Sequence, residues 1–149
     1  MPAFVGRDVT VEFAIADENA AIGSLSWQPL GMMRGKTLNS SWEIADTTAD
    51  DSPQFTKTQL VTFKSVEFSG DGVTYTDAAF NQSTFKAHVI NPGAGTGNQP
   101  KAWFRLTAPD GVTVGPFIVT EWNEERPYAD AATWSIGAMS NGAVTFTPA

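Results

Sequence analysis

A mainly β chain is predicted: an antiparallel β-sandwich with one flanking α-helix and one long loop, in a single domain over residues 1–149. Three observations predict it. Apolar residues recur at every second position in several stretches, the period of a strand buried on one face. Only the stretch 78–90, opened by a capping Thr76 or Asp77 and closed by NPG, reads as a helix. The remainder is punctuated by SGDG, APDG and SNG, clusters that turn a chain. A length of 149 residues suits one domain, and such a chain buries roughly 68–70% of the surface its unfolded form exposes.

The elements follow in order. Val9, Val11, Phe13 and Ile15 alternate with Asp8, Thr10, Glu12 and Ala14, which predicts an opening strand; the polar ADENAA (16–21) turns it. A second strand is predicted over 33–45. It sets Lys36, Leu38, Ser40, Trp42 and Ile44 on one side, and Thr37, Asn39, Ser41 and Glu43 on the other. The third, 59–69, sets Leu60, Thr62, Lys64, Val66 and Phe68 against Val61, Phe63, Ser65 and Glu67. Apolar groups on both faces place it centrally, and SGDG (69–72) should end it. Along the helix Ala78, Gln82, Phe85 and Val89 share one face, and Phe80, Thr84 and Ala87 the adjoining one. The Gly- and Pro-rich segment 91–100 leads to a strand with Ala102, Phe104 and Leu106 on one side. APDG turns the chain into a strand through GPFIVTEW. ATWSIGAM and AVTFT make a last strand, interrupted or turned at SNG.

Composition removes whole classes of function. The absence of cysteine excludes disulfides, thiolate catalysis and thiolate zinc sites. Sixteen acidic against nine basic residues give a net charge of −7, and the cations are scattered, so a grip on nucleic-acid phosphates is not expected. No stretch approaches about 18 consecutive apolar residues, so neither a transmembrane helix nor a membrane partner is predicted. The opening MPAFVGRDVTVEF lacks the charged and apolar regions of a secretory signal; synthesis in the cytoplasm is the expectation.

No catalytic constellation emerges, and no cofactor is predicted. His88 stands without a second histidine, and a surface or half-buried place in the helix is its plain reading. Ser40 and Ser41 are not in a GxSxG elbow. Asp46, Asp50, Asp51, Glu121, Glu124, Glu125 and Asp130 could supply a glycosidase pair, but a solvated acidic surface explains them better. DTTADD (46–51) offers three carboxylates without the spacing of a calcium loop. Trp27, Trp42, Trp103, Trp122 and Trp134 could make a carbohydrate-binding platform; core and subunit interface is the reading preferred here.

The order of features carries a resemblance. KTLNSSWEIADTT (36–48) is a strand entering an acidic segment, KSVEFSGDGV (64–73) a strand and turn, and ATWSIGAMSNGAV (132–144) lies near the end. Over 30–146 the sequence resembles the major tail tube proteins of bacteriophages with long, non-contractile tails; residues 1–29 match less clearly. Some family members carry an added decorating domain, which this chain is expected to lack.

The resemblance implies a structural virion protein, not an enzyme. Family members form hexameric rings stacked into a hollow tube, in which one sheet of each subunit joins its neighbours as an inner barrel. The implied partners are further copies of itself, the tape measure protein, and the tail terminator and tail tip proteins; viral DNA passes through without specific binding. In the family the loop after the second strand is mobile in the free subunit and orders against the next ring. Asp46, Asp50, Asp51, Pro53, Phe55 and Lys57 hold that place here, and Arg34, Lys36, Lys64, Lys101 and Arg105 are the candidate cations on a neighbouring subunit. Glu43 and Glu67 are the candidates for facing the lumen. Two alternatives stay open: a carbohydrate-binding module, and a terminator or tip ring that does not polymerise.

Overall fold

The computed structural model describes residue 3, residues 5–47, residue 57 and residues 59–149. Its elements are β1 (Thr10–Ala14), β2 (Gln28–Pro29), β3 (Met33–Asp46), β4 (Gln59–Val73), α1 (Gln82–Ile90), β5 (Lys101–Ala108), β6 (Gly111–Glu125), β7 (Thr133–Ser140) and β8 (Thr145–Pro148). The strands pair antiparallel in the order β2-β1-β5-β6-β7-β4-β3, with β8 also on β6. β6 belongs to two leaves: its first half pairs with β5 and β8, its second half with β7. The sheet folds over at this strand. Phe104 of β5 and Phe68 of β4, which are not strand neighbours, meet at 5.3 Å between ring centres, so the leaves face each other across one core. This is the predicted sandwich.

Alternation fills that core as expected. Val11, Phe13, Ala102, Phe104, Leu106, Phe68 and Ile136 are buried, whereas Ile15, just past β1, is exposed. Phe85 of α1 closes the open end of the sandwich, 5.0 Å from Phe13, 5.7 Å from Phe104 and 5.7 Å from Trp122. Burying such a ring is worth about 2–3 kcal/mol. β7 and β8 run end to end along one edge of β6, with Ser140 opposite Phe117 and Thr145 opposite Val114. They form the last strand, interrupted at SNG as its sequence indicates.

Four expectations are corrected. SGDG does not end the third strand: β4 continues to Val73. A Cβ on Gly72 would stand 2.9 Å from Cζ2 of Trp134, so glycine here admits a close neighbour and makes no turn. Asp71 accepts a hydrogen bond from the Gly35 amide at 2.9 Å, where an extra residue, Arg34, bulges from β3. Nor is this strand central along its length. Among the described residues, 59–64 pair only with β3, and a second bulge shifts the register between Trp42↔Lys64 and Ile44↔Val61, which reverses the alternation on β4.

The helix is also shorter. Asp77 does cap, accepting from the Ala79 amide at 2.9 Å, but it caps a 3₁₀ turn, Ala78–Phe80. Asn81, at φ 58°, breaks the run before α1 begins at Gln82. Asparagine tolerates that conformation, and its side-chain amide donates to the Pro29 carbonyl at 2.9 Å. His88 is buried rather than at the surface or half-buried, with Nε2 2.7 Å from the Lys101 carbonyl oxygen. Gln82 is buried too: its amide donates to the Gly31 and Val73 carbonyls and its oxygen accepts from the Tyr75 amide.

Candidate assembly surfaces

The leaf β6-β7-β4-β3 has one face in the core and one in solvent, and the register settles which residues occupy the outer face. On β3 they are Gly35, Thr37, Asn39 and Ser41, which lead to Glu43; opposite lie Asp71, Ser69, Glu67 and Ser65 of β4. Glu67 pairs onward with Met139, and Ser69 with Gly137, which pairs with Glu121 of β6. A bulge at Thr120, between Val119↔Ala138 and Glu121↔Gly137, turns Glu121, Asn123 and Glu125 outward. Five carboxylates therefore share this face, those of Glu43, Glu67, Asp71, Glu121 and Glu125. Arg34, at the bulge, offers the one opposing charge seen there among the described residues, 3.5 Å from Asp71. Opposite charges set across strands stabilise a sheet; here Glu67, Asp71, Glu121 and Glu125 pair with uncharged glycine, serine, threonine, asparagine and methionine. Both sequence candidates, Glu43 and Glu67, lie on the face.

The same leaf has two edges without strand partners among the described residues. β3 pairs only with β4, and β6 beyond Val119 pairs only with β7. The backbone groups of β3 that point away from β4 are a template for another chain.

Beyond Ser65 the β3–β4 hairpin leaves the body of the sandwich. It carries Trp42, Ile44, Leu60, Val61 and Phe63 with half or more of their surface open, Phe63 the most at 72%. Lys64 lies over the Trp42 ring at 5.8 Å. A run of exposed apolar groups on a two-stranded extension marks a contact surface. Of the proposed loop, Asp46 ends β3 and Lys57 is exposed; Asp50, Asp51, Pro53 and Phe55 lie outside the described residues.

The candidate cations divide. Arg105 is held by both Glu12 oxygens, at 3.1 and 2.8 Å, and lies over the Trp27 ring at 4.6 Å. Lys101 binds Glu18 at 2.9 Å and is largely covered. Interaction with the neighbouring Asp17 carboxyl and the hydrogen bond from Lys101 lower the Glu18 pKa to about 2. These two cations serve their own fold. Lys64 reaches the Val144 carbonyl at 3.4 Å. Arg34 is exposed, and the half-buried Lys36 makes one bond, to the Gly6 carbonyl at 3.3 Å. Sequence reasoning missed the Glu12–Arg105 pair, whose signal is the β1–β5 register that sets the two opposite each other. It also misread Glu124, whose carboxylate takes Lys86 at 2.7 Å.

The tryptophans make no shared platform. Trp103 and Trp134 are buried, Trp122 stacks on Trp134 at 5.1 Å, and Trp42 stands apart on the hairpin. Among the described residues no group of three or more histidine, aspartate or glutamate side chains could hold a metal ion.

A family model described as phage tail tube protein matches residues 3–146, including most of the stretch 1–29 over which the resemblance read from the sequence is less clear. No curated protein matches the sequence. Among solved structures, a chain from the tail of an empty GTA particle, determined with C6 symmetry, is 21% identical with a TM-score of 0.71, covering 97% of this chain and 99% of that one. The SPP1 tail tube is 14% identical with a TM-score of 0.62, over 99% of this chain and 80% of that one. The tube-terminating cap of the anti-feeding prophage is 8% identical with a TM-score of 0.65, over 100% and 93%. At these identities the structural likenesses establish the fold.

Proposed function

The chain belongs to the phage tail tube protein family, and from that membership we propose that it is the repeating subunit of a hollow virion tail tube. Copies close into six-membered rings, as the C6 symmetry of the similar GTA tail suggests, and the rings stack. The observation that carries this reading is the acid-lined outer face of β6-β7-β4-β3, bounded by two unpaired edges. Joining β3 of one copy to the free edge of β6 in the next continues the sheet and uses both edges. Four strands from each of six copies make a 24-stranded barrel. At about 4.8 Å between strands and a tilt of about 40°, its backbone diameter is roughly 48 Å, which leaves room for side chains and a double helix.

The acid face then lines the bore. Duplex DNA carries one negative charge per roughly 1.7 Å of axis, so a basic wall would bind it. A carboxylate wall without lysine repels it over a range of roughly 8 Å. DNA passes without being held, and before ejection the bore accommodates the tape measure protein. Terminator and tip proteins bound the tube at its ends.

Negative-stain electron microscopy of the purified, untagged protein across a concentration series tests the reading. Hollow tubes of uniform bore and open-ended length are the expected result; a monomer at every concentration, with tape measure protein added, sinks it. The likeness to a tube-terminating cap supports one second reading, a ring that does not elongate, for which the same grids would show single rings.

A further inference from the structure

We propose that the seam between two copies in a ring has one register, in which Thr37, Asn39 and Ser41 of β3 stand opposite Glu125, Asn123 and Glu121 of the next copy's β6. The inference rests on the tube reading and fixes two things that reading leaves open, the tilt of the strands and the width of the bore.

Direction, parity and the free edge narrow the choice. Each strand of β6-β7-β4-β3 runs antiparallel to the one before. Rotation about the ring axis preserves direction, so β3 meets the next β6 antiparallel. Across the leaf, Glu121 stands level with Gly137, Ser69 and Thr37. Strands parallel to the tube axis would therefore set Thr37 opposite Glu121 of the next copy. Tilt shifts that pairing by a whole number of residues, the same at every seam. The number is even, because an odd one would line up bore-facing side chains of one copy with core-facing ones of the next. Shifts toward lower numbers set Thr37 against Val119 or Phe117, whose edge already serves the Pro100 carbonyl and Ala102. Past Val119 that edge is free among the described residues, so the shift runs toward higher numbers.

Magnitude and charge choose among the rest. Four strands about 4.8 Å apart span about 19 Å, so at about 3.4 Å per residue, shifts of two, four and six residues tilt the strands by about 20°, 35° and 47°. Barrel strands tilt by about 35–45°, which excludes two. A shift of six carries Thr37 past Glu125, the last residue of β6. It also sets Glu43 opposite Glu121, a like-charge pair that destabilises a sheet. A shift of four sets Thr37 against Glu125 and Ser41 against Glu121, so each carboxylate meets a hydroxyl able to donate to it, and Asn39 meets Asn123, amide to amide. All six side chains are exposed in the single copy. Lys36 then lies level with Arg126 beyond the end of β6, but each is engaged in its own copy, with the Gly6 carbonyl and with Glu124.

A chain without cysteine makes the register measurable by cross-linking. Asn39→Cys with Asn123→Cys brings two thiols within reach of a disulfide across the seam. Inside one copy, two intervening strands hold the same positions about 14 Å apart. Oxidised tubes of this variant, and of Ser41→Cys with Glu121→Cys, should run on a non-reducing gel as a ladder ending at six copies. Asn39→Cys with Glu121→Cys reports a shift of two, and Asn39→Cys with Glu125→Cys a shift of six; both should stay monomeric on the gel. A ladder from either of these overturns the proposal, and so does the lack of one from the first two when their tubes are present. Wild-type tubes give a second reading that no substitution can disturb. By cryo-electron microscopy the barrel backbone should measure roughly 45 Å across, against roughly 39 Å for a shift of two and roughly 53 Å for six, either of which overturns the register. A wild type that forms no tubes removes the tube reading itself, whereas tubes of another width leave that reading standing.

Discussion

Glu124 accepts hydrogen bonds from Lys86 Nζ at 2.7 Å, Trp122 Nε1 at 2.9 Å and Arg126 Nη2 at 2.8 Å. These donors, Lys86 foremost, lower its pKa from 4.5 to about 2. A folded-state pKa below the unfolded value means that the ionised carboxylate stabilises the fold. That stability is complete above about pH 4.5 and is lost as pH falls toward 2. Glu124→Gln should cost about 1–2 kcal/mol at pH 7 and flatten the decline of stability between pH 5 and pH 2. Urea titrations of both proteins at pH 7, 4 and 3 measure this; parallel curves would show that Glu124 does not carry the acid sensitivity. The role was hidden in the sequence because the bulge at Thr120 reverses the alternation of β6. Beyond it Glu124 pairs with the buried Trp134, and no count of every second residue reveals an extra one.

The β3–β4 hairpin shows the same limit at the scale of an element. Its first strand was legible almost to the residue, 33–45 against Met33–Asp46, because period-two patterning is strong there. Its partner was misjudged at both ends. Glycines that read as a turn admit Met33 and Trp134 against β4, and apolar residues that read as central packing are exposed on the extension. Val61 and Phe63 are exposed and stand outside the core formed by the described residues. Trp42→Ser with Phe63→Ser should move the melting midpoint by no more than about 3 °C, the expectation for exposed positions. Tubes should fail to form at concentrations where the wild type assembles. Tubes of normal length from this variant would show that the extension is not a contact surface.

For the whole molecule, the family and its ring assembly were legible as a resemblance and Glu43 and Glu67 were offered for the lumen, while the set of residues that shares their face was not legible. Facing depends on three bulges, at Arg34, on β4 near residue 63, and at Thr120, and on the fold-over at β6. Once these are placed, Glu43, Glu67 and Glu121 share one surface with Asp71 and Glu125, and the wall reading becomes a charge experiment. Glu43→Lys, Glu67→Lys and Glu121→Lys together leave two carboxylates against three lysines and Arg34 on each copy, repeated around every ring. The side chains are exposed and pair with neutral neighbours, so rings should still close. Tubes of the triple variant should retain short duplex DNA on sedimentation at about 50 mM salt and release it by about 200 mM, the signature of counterion release. Wild-type tubes should retain none at either salt. If intact triple-variant tubes fail to hold DNA at low salt, the face points away from the bore, and the repulsive wall must be sought on the opposite leaf.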